Sequence, residues 1–163
     1  AAAGSRYLSI TVDPVQAVQP LALKITTAEY PCMVGYVGTG GLIGASPFFQ
    51  TPAAWGTVYA GDDEVVPGTT YAVQTETPNG LSGVIEVTTW RWGDTNNSGA
   101  VDLDDILCEV AAFGGTFTPD CTLYGADMIG SFFNPDRAIT LDDILAVLGA
   151  FGGQPYPGQN PCP

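Results

Sequence analysis

The run Asp94-Thr95-Asn96-Asn97-Ser98-Gly99-Ala100-Val101-Asp102-Leu103-Asp104-Asp105 carries oxygen-bearing side chains at its positions 1, 3, 5, 9 and 12, with glycine at position 6. This is the pattern of a calcium loop. A hard divalent cation takes six to eight oxygens, alternate residues of a tight loop point inward, and a central glycine permits the sharp turn between the two halves. The expected ligands are the side chains of Asp94, Asn96, Ser98 and Asp105 and the main-chain carbonyl of Ala100, with Asp102 acting directly or through a water. Position 12 is Asp, shorter than the Glu of most such loops. Asn96-Asn97-Ser98 is also a nominal N-glycosylation sequon, but Asn96 cannot easily be both ligand and glycan acceptor, and the metal reading is the stronger.

The loop leads into a segment that occurs twice. Leu103–Gly115 and Leu141–Gly153 are offset by 38 residues and identical at nine of thirteen positions. In each copy the apolar residues fall at helical spacing: Leu103, Ile106, Leu107, Val110 and Phe113, then Leu141, Ile144, Leu145, Leu148 and Phe151. A Gly-Gly pair suits the end of each helix. Such short helices are marginal alone, so the expectation is that the two bury their Leu/Ile/Phe stripes against each other as one small core.

Counting back from Asp143, the second loop has Thr140 at position 9, the Ala138 carbonyl at 7, Asp136 at 5 and Asn134 at 3. Position 1 then falls on Phe132, which cannot bind a cation, and position 6 is Arg137. The nearest upstream carboxylate is Asp127. We expect Met128 to Phe133 to bulge out and Asp127 to supply the first ligand; the alternative is a second loop free of metal and held by packing. One to two calcium ions follow.

Gly93-Asp94-Thr95-Asn96, the mid-loop Gly99, Asp at position 12, one helix per loop and the internal duplication together resemble a type I dockerin over residues 93–153. The resemblance implies a small α-helical domain and an adaptor that docks a cohesin-like partner through residues at the start of the repeat helices, often hydroxyl-bearing. Here those places hold Leu103-Asp104 and Leu141-Asp142.

The elements ahead of the repeat follow a different rule. Leu8, Ile10 and Val12 alternate with Tyr7, Ser9 and Thr11; Leu21, Leu23 and Ile25 alternate with Ala22, Lys24 and Thr26; Val84-Ile85 leads into Val87 and Thr89. Asp13-Pro14, Gly40-Gly41, Gly61-Asp62 and Asn79-Gly80 mark turns between such runs. Short strands at this spacing predict an antiparallel all-β sandwich over residues 1–90. Val65-Val66-Pro67-Gly68-Thr69-Thr70-Tyr71 is similar to the corner before the last two strands of a fibronectin type III or immunoglobulin-like domain. Tyr71 would be the corner tyrosine, its hydroxyl bonded to nearby backbone. Trp90-Arg91-Trp92-Gly93 reads as a short junction, with residues 91–93 as linker and the indoles as packing between the halves. Residues 94–153 form the calcium-binding domain and 154–163 a Pro-rich tail.

Composition narrows the functions. Four Lys and Arg residues stand against 17 Asp and Glu, a net charge of -13. Such a surface repels phosphate backbones and anionic lipids, and no apolar run approaches the about 20 residues of a membrane helix. Hence neither a nucleic-acid partner nor membrane insertion is expected. The chain has no His and no CxxC pair, which disfavours zinc. It also lacks a nucleophile elbow, a phosphate loop and a metalloprotease motif, so no enzyme is expected. The even cysteine count and a start at Ala1 suggest a processed, disulfide-bonded chain that is secreted or at the cell surface. Of three connectivities, nearness in sequence favours Cys108–Cys121, which leaves Cys32–Cys162 by elimination.

The reading that results is a calcium-stabilised extracellular structural module that self-assembles into filaments or matrix. Residues 1–13, set off by a Pro-bounded tether, could add head-to-tail to a neighbouring copy or form an ordinary first strand. The alternatives are an adaptor for another extracellular protein and a glycan-binding domain using Trp55, Tyr59 and Trp90. Threonines 69, 70, 75, 77, 88 and 89 could carry O-glycans or simply suit exposed strands.

Overall fold

The computed structural model describes residues 1–12, 22–32, 34–38, 41–44, 57–61, 65–129, 138–158 and 162. The expected tether at 13–20, Asp62 of the Gly61-Asp62 turn, Trp55, residues 130–133 of the expected bulge, and Asn134 and Asp136 lie outside these residues; Met128, expected to begin the bulge, is instead fully buried, its N–H held by Asp143.

The first half contains strands β1 (Ala2–Ala3), β2 (Leu8–Thr11), β3 (Ala22–Thr26), β4 (Val34–Gly38), β5 (Gly41–Gly44), β6 (Thr57–Ala60), β7 (Thr70–Thr77), β8 (Gly80–Leu81) and β9 (Ile85–Thr88). Among the described residues all pairings are antiparallel and form two sheets, ordered β1-β2-β6 and β5-β4-β3-β7-β8, with β9 also on β7. The period-two pattern explains why. Leu8 and Ile10 from β2, Leu23 and Ile25 from β3, Tyr71 and Val73 from β7, and Val87 from β9 all point into one shared apolar cluster. Side chains of this size stabilise by about 1.5–3 kcal/mol each when fully buried. Tyr71 is buried with the rest, and its hydroxyl accepts a 2.8 Å hydrogen bond from the Val66 N–H. Burial holds this phenol above its ordinary pKa, against the lowering effect of the Val66 bond. The segment 1–12 sits in its own chain's sheet, with β2 registered on β6 from Leu8↔Ala60 to Thr11↔Thr57.

The second half holds α1 (Leu103–Phe113), α2 (Leu123–Ala126) and α3 (Leu141–Phe151). Cys108 is joined to Cys121 and Cys32 to Cys162, with Cα–Cα separations of 5.5 and 5.8 Å. The second bridge returns the tail to the first half. Among the described residues no helix is long and apolar enough to cross a membrane.

The expected helix–helix core is not what forms. Leu103, Leu107, Val110 and Phe113 on α1 and Leu141, Leu145, Leu148 and Phe151 on α3 are exposed, up to 61% at Leu103 and 63% at Leu141. The buried positions are Asp105, Cys108, Glu109 and Ala112 on α1, and Asp143 and Val147 on α3. At about 100° per residue the buried face of α1 lies roughly opposite the Leu103/Leu107/Val110 stripe. The cause is the carboxylate in the first turn. Asp105 and Asp143 are drawn inward by loop backbone, which fixes each helix's rotation and turns the leucines out. The remaining core is small, built on Cys108, Ala112, Cys121 and Ala126, with Ile139 against it.

The two halves do not merely abut through a linker. The Ser5 hydroxyl donates to the carbonyls of Arg91 and Asp94. Fully buried Arg6 donates to the carbonyls of Val65 and Met128, and its guanidinium lies over the Tyr156 ring. The Tyr7 hydroxyl donates to the Asp127 carboxylate. Gly4 allows this approach, since a Cβ there would collide with the Tyr124 carbonyl. Trp92 packs edge-on against Tyr156, and Trp90 lies against Gly125, as expected of packing indoles.

Candidate metal centre

Asp94 opens the first loop and is 1% exposed. Its two carboxylate oxygens accept from the N–H groups of Ser98 and Gly99, each at 2.9 Å. The same Ser98 N–H also donates to the Asn96 side-chain oxygen at 2.8 Å, so the oxygens of positions 1 and 3 meet at one point. The Ser98 hydroxyl lies 3.2 Å from the Ala100 carbonyl, which brings positions 5 and 7 together. The reversal that permits this uses positive φ at Asn97 (60°) and Gly99 (87°), the latter a conformation that glycine adopts without steric cost. Asp102 caps α1, its side chain accepting from the Asp104 N–H, and is exposed.

Asp105 closes the loop like a clasp. One oxygen accepts from the backbone of Thr95 at 2.8 Å and Asn96 at 3.3 Å, and also from the Thr95 hydroxyl. The other accepts from the Asp102 N–H at 2.8 Å. Both Thr95 and Asp105 are fully buried. Burial pushes the Asp94 carboxyl upward, and the neighbouring Asp105 charge adds to it, while the Gly99, Ser98 and Asn97 N–H groups oppose both.

The second loop repeats this clasp residue for residue. One oxygen of Asp143 accepts from Met128 N–H at 2.8 Å and Ile129 N–H at 2.9 Å. The other accepts from Thr140 N–H at 2.8 Å and from its hydroxyl. In the first loop the clasped amides are the two that follow Asp94; in the second they are the two that follow Asp127. Asp127 therefore occupies the place of Asp94, and Thr140, the cap of α3, that of Asp102. Asp127 and Asp143 are fully buried. Burial raises the Asp143 carboxyl, against the lowering effect of its backbone bonds. Ala138 is exposed and Thr140 half-buried. Asn134 and Asp136 lie outside the described residues.

Whether these residues suit a cation can be tested on their own chemistry. Among the described residues, no three Asp, Glu, His or Cys side chains converge as a metal cage. The gathered donors of the first loop are instead one carboxylate, an amide oxygen, a hydroxyl and a carbonyl, all oxygen. That mixture fits a hard, flexible cation such as calcium and gives nothing to a thiophilic one. Both loops also hold carboxylates out of water, Asp94 and Asp105 in the first and Asp127 and Asp143 in the second, charge that a bound divalent ion would neutralise.

One buried acid had no place in the loop pattern. Glu109, on the inner face of α1 four residues beyond Asp105, is 0% exposed, and neither of its oxygens has a hydrogen-bond partner. Burial, then the charges of Asp143 and Asp127, push its carboxyl up to about 9. Its spacing from Asp105 was the only sequence signal for it. Arg6 and Tyr7 were missed because nothing local marks a strand residue as a contact to a site 120 residues away.

No protein-family model, curated protein or solved structure shows a match to this chain.

Proposed function

We propose that this chain is a secreted, non-catalytic structural module whose dockerin-like second half is folded by calcium and assembles with further copies of itself. The observation that carries the reading is the matched pair of clasps at Asp105 and Asp143, each opening on a buried aspartate. Asp94, Asn96, Ser98, the Ala100 carbonyl, Asp102 and Asp105 would hold one ion. Asp127, Ala138, Thr140 and Asp143, with Asn134 and Asp136 of the same segment, would hold the second. When bound, the ion supplies charge neutralisation, and its binding free energy becomes folding free energy. The fibronectin-like or immunoglobulin-like reading of the first half is supported by the strand order of its two sheets and by the Tyr71–Val66 bond.

Assembly is supported by the exposed ridge that α1 and α3 form. Exposed apolar patches of this kind mark interaction surfaces. The stripe occurs twice, which suits self-complementary contact. The acids at its edge, Asp104 and Asp142, both lie at helix starts, while the Phe113 and Phe151 ends carry no charge. An antiparallel seating therefore keeps the acids apart. Assembly by exchange of residues 1–13 is less favoured, because Leu8, Ile10 and Val12 would leave the core. A second reading, docking of a different extracellular protein, is favoured by the absence of any basic residue on either helix. Carbohydrate binding has no such support: Trp90 is packed between the halves, and the Trp55 and Tyr59 side chains lie outside the described residues.

Light scattering on the purified chain separates these readings. Self-assembly predicts association in calcium, strengthened by salt that screens the acidic charge, and lost in chelator and in the double variant Leu107→Asp, Leu145→Asp. A chain that stays monomeric in calcium at every salt concentration refutes self-assembly and leaves the adaptor.

A further inference from the structure

We propose that the disulfide-stapled turn at Phe117–Asp120 of one copy seats in the cleft at Arg91, Trp92 and Tyr156 of another, a head-to-tail contact that carries assembly beyond the pair. This rests on the self-assembly reading above, to which it adds a second, unlike contact.

The cleft has a volume of about 420 Å³, and Arg91, Trp92, Val101, Ala150, Pro155 and Tyr156 are among its walls. That is the size of a small binding site, roughly 300–1,000 Å³, and suits a loop tip better than a helix about 10 Å across. Its aromatic wall is fixed. Trp92 stands edge-on to Tyr156 with ring centroids 5.1 Å apart, and the buried Arg6 guanidinium lies 5.0 Å from the Tyr156 ring centre. Its charge runs against that of the chain. Of four basic residues set against 17 acidic ones, Arg6 is buried, Lys24 is half-buried in β3, and Arg137 lies outside the described residues. Arg91 is exposed. Among the described residues its guanidinium donates to the Gly99 carbonyl alone, at 2.8 Å, which leaves N–H groups for a carboxylate.

A positive, aromatic cleft calls for an acid beside an apolar side chain, and the chain carries that combination on a rigid support. Phe117 is 47% exposed, and Pro119 and Asp120 are exposed beside it. The turn that presents them is pinned at both ends. The Thr116 N–H donates to the Ala111 carbonyl at 2.8 Å, Thr118 and Cys121 exchange backbone bonds of 2.9 and 3.2 Å, and Cys121 is joined to Cys108 within α1. Little has to be ordered on binding, which lowers the cost of association.

Placement decides which copy provides the turn. Val101 of the cleft lies just before α1 and the turn follows its end, so the length of that helix separates them, about 16 Å at 1.5 Å per residue. A chain cannot fill its own cleft. A contact between two unlike surfaces repeats in one sense from copy to copy and gives open filaments unless the rotation closes a ring. The ridge contact joins like with like and stops at a pair.

The test is sedimentation of the full chain in calcium, comparing wild type with Arg91→Asp, Asp120→Arg, Phe117→Ser and an equimolar mixture of the first two variants. Wild type should grow past the pair as its concentration rises. Each single variant should stop at the pair, the further association weakened about 10- to 100-fold, the size expected on losing an interface anchor. In the mixture every cleft again meets a turn of opposite charge, so growth should return; damage within one chain could not be mended by mixing. Because Phe117 and Asp120 are exposed, their variants should melt with wild type, which covers any disturbance of the Gly99 bond in Arg91→Asp. Wild-type growth in Asp120→Arg or Phe117→Ser would overturn the contact, as would a mixture that stays at the pair. A wild-type chain that stops at the pair would also overturn it and leave ridge assembly standing. A wild-type monomer in calcium would overturn the self-assembly reading itself.

Discussion

Replacing Asp105 with Ala removes the first clasp, and the structure sets the size of the effect. Three backbone donors lose their acceptor, the N–H groups of Thr95, Asn96 and Asp102, while the Thr95 hydroxyl keeps the Asp105 main-chain carbonyl. Of these the Thr95 N–H matters most, because Thr95 is fully buried and no water replaces the lost oxygen. A buried donor left unpaired costs about 1–3 kcal/mol, and a bond to a charged acceptor is worth about 1.5–3 kcal/mol. Asn96 and Asp102 are more open, so water recovers part of their loss. Against this stands relief of the repulsion that Asp105 exerts on Asp94. The net for the metal-free chain is about 2–4 kcal/mol of lost stability. For a chain of this size that is a fall in melting temperature of roughly 4–16 °C. Asp105→Asn keeps one acceptor oxygen but turns an NH₂ toward a donor, so it should fall between wild type and Ala. In calcium the gap should widen, because a ligand is lost along with the clasp. The assay is thermal unfolding by calorimetry, in chelator and in calcium. If Asp105→Ala melts with wild type in both conditions, the clasp does not position α1, and the account of why its leucines face outward fails with it.

Further outcomes follow from the first half and from the junction. Tyr71→Phe leaves the Val66 N–H without its partner and should cost about 1–3 kcal/mol, read as a shifted denaturant midpoint. Because the folded state holds the Tyr71 phenol above its ordinary value of about 10, that stabilisation is complete below pH 10 and declines as the pH rises beyond it. Ultraviolet titration should therefore show one tyrosine ionising late, together with unfolding; Tyr71→Phe removes that step. Gly4→Ala sets a methyl group against the Tyr124 carbonyl and should cost about 1–3 kcal/mol, with faster hydrogen exchange at Asp94 and Trp90 as the local sign.

Much of the site could be read from residue types alone. A loop whose oxygens alternate around a glycine is written in local sequence, and local hydrogen bonds form it: Asp94 to Ser98 and Gly99, Asp102 to Asp104. Asp127 could be singled out as well, since it is the nearest carboxylate upstream of Phe132. The cysteine pairing expected from nearness and elimination is the one the structure joins. What could not be read was helix rotation. Apolar spacing on α1 and α3 reports that a stripe exists, and the usual inference is that it faces inward. Here the inward direction is taken by Asp105 and Asp143, whose buried backbone partners outweigh the gain from burying the leucines. Glu109 was hidden for the same reason, because its burial depends on that rotation. The contacts of Arg6 and Tyr7 depend on how two separately patterned halves meet, which no local pattern encodes.

The most direct measurement is the melting temperature of the wild-type chain in 10 mM calcium against the same buffer with chelator. Extracellular modules bind calcium with dissociation constants on the order of 10⁻⁴ to 10⁻³ M. Two such sites at that concentration add about 3–5 kcal/mol by mass action. The account predicts a rise of roughly 6–20 °C, with magnesium a poor substitute. Identical melting in calcium and in chelator would contradict it.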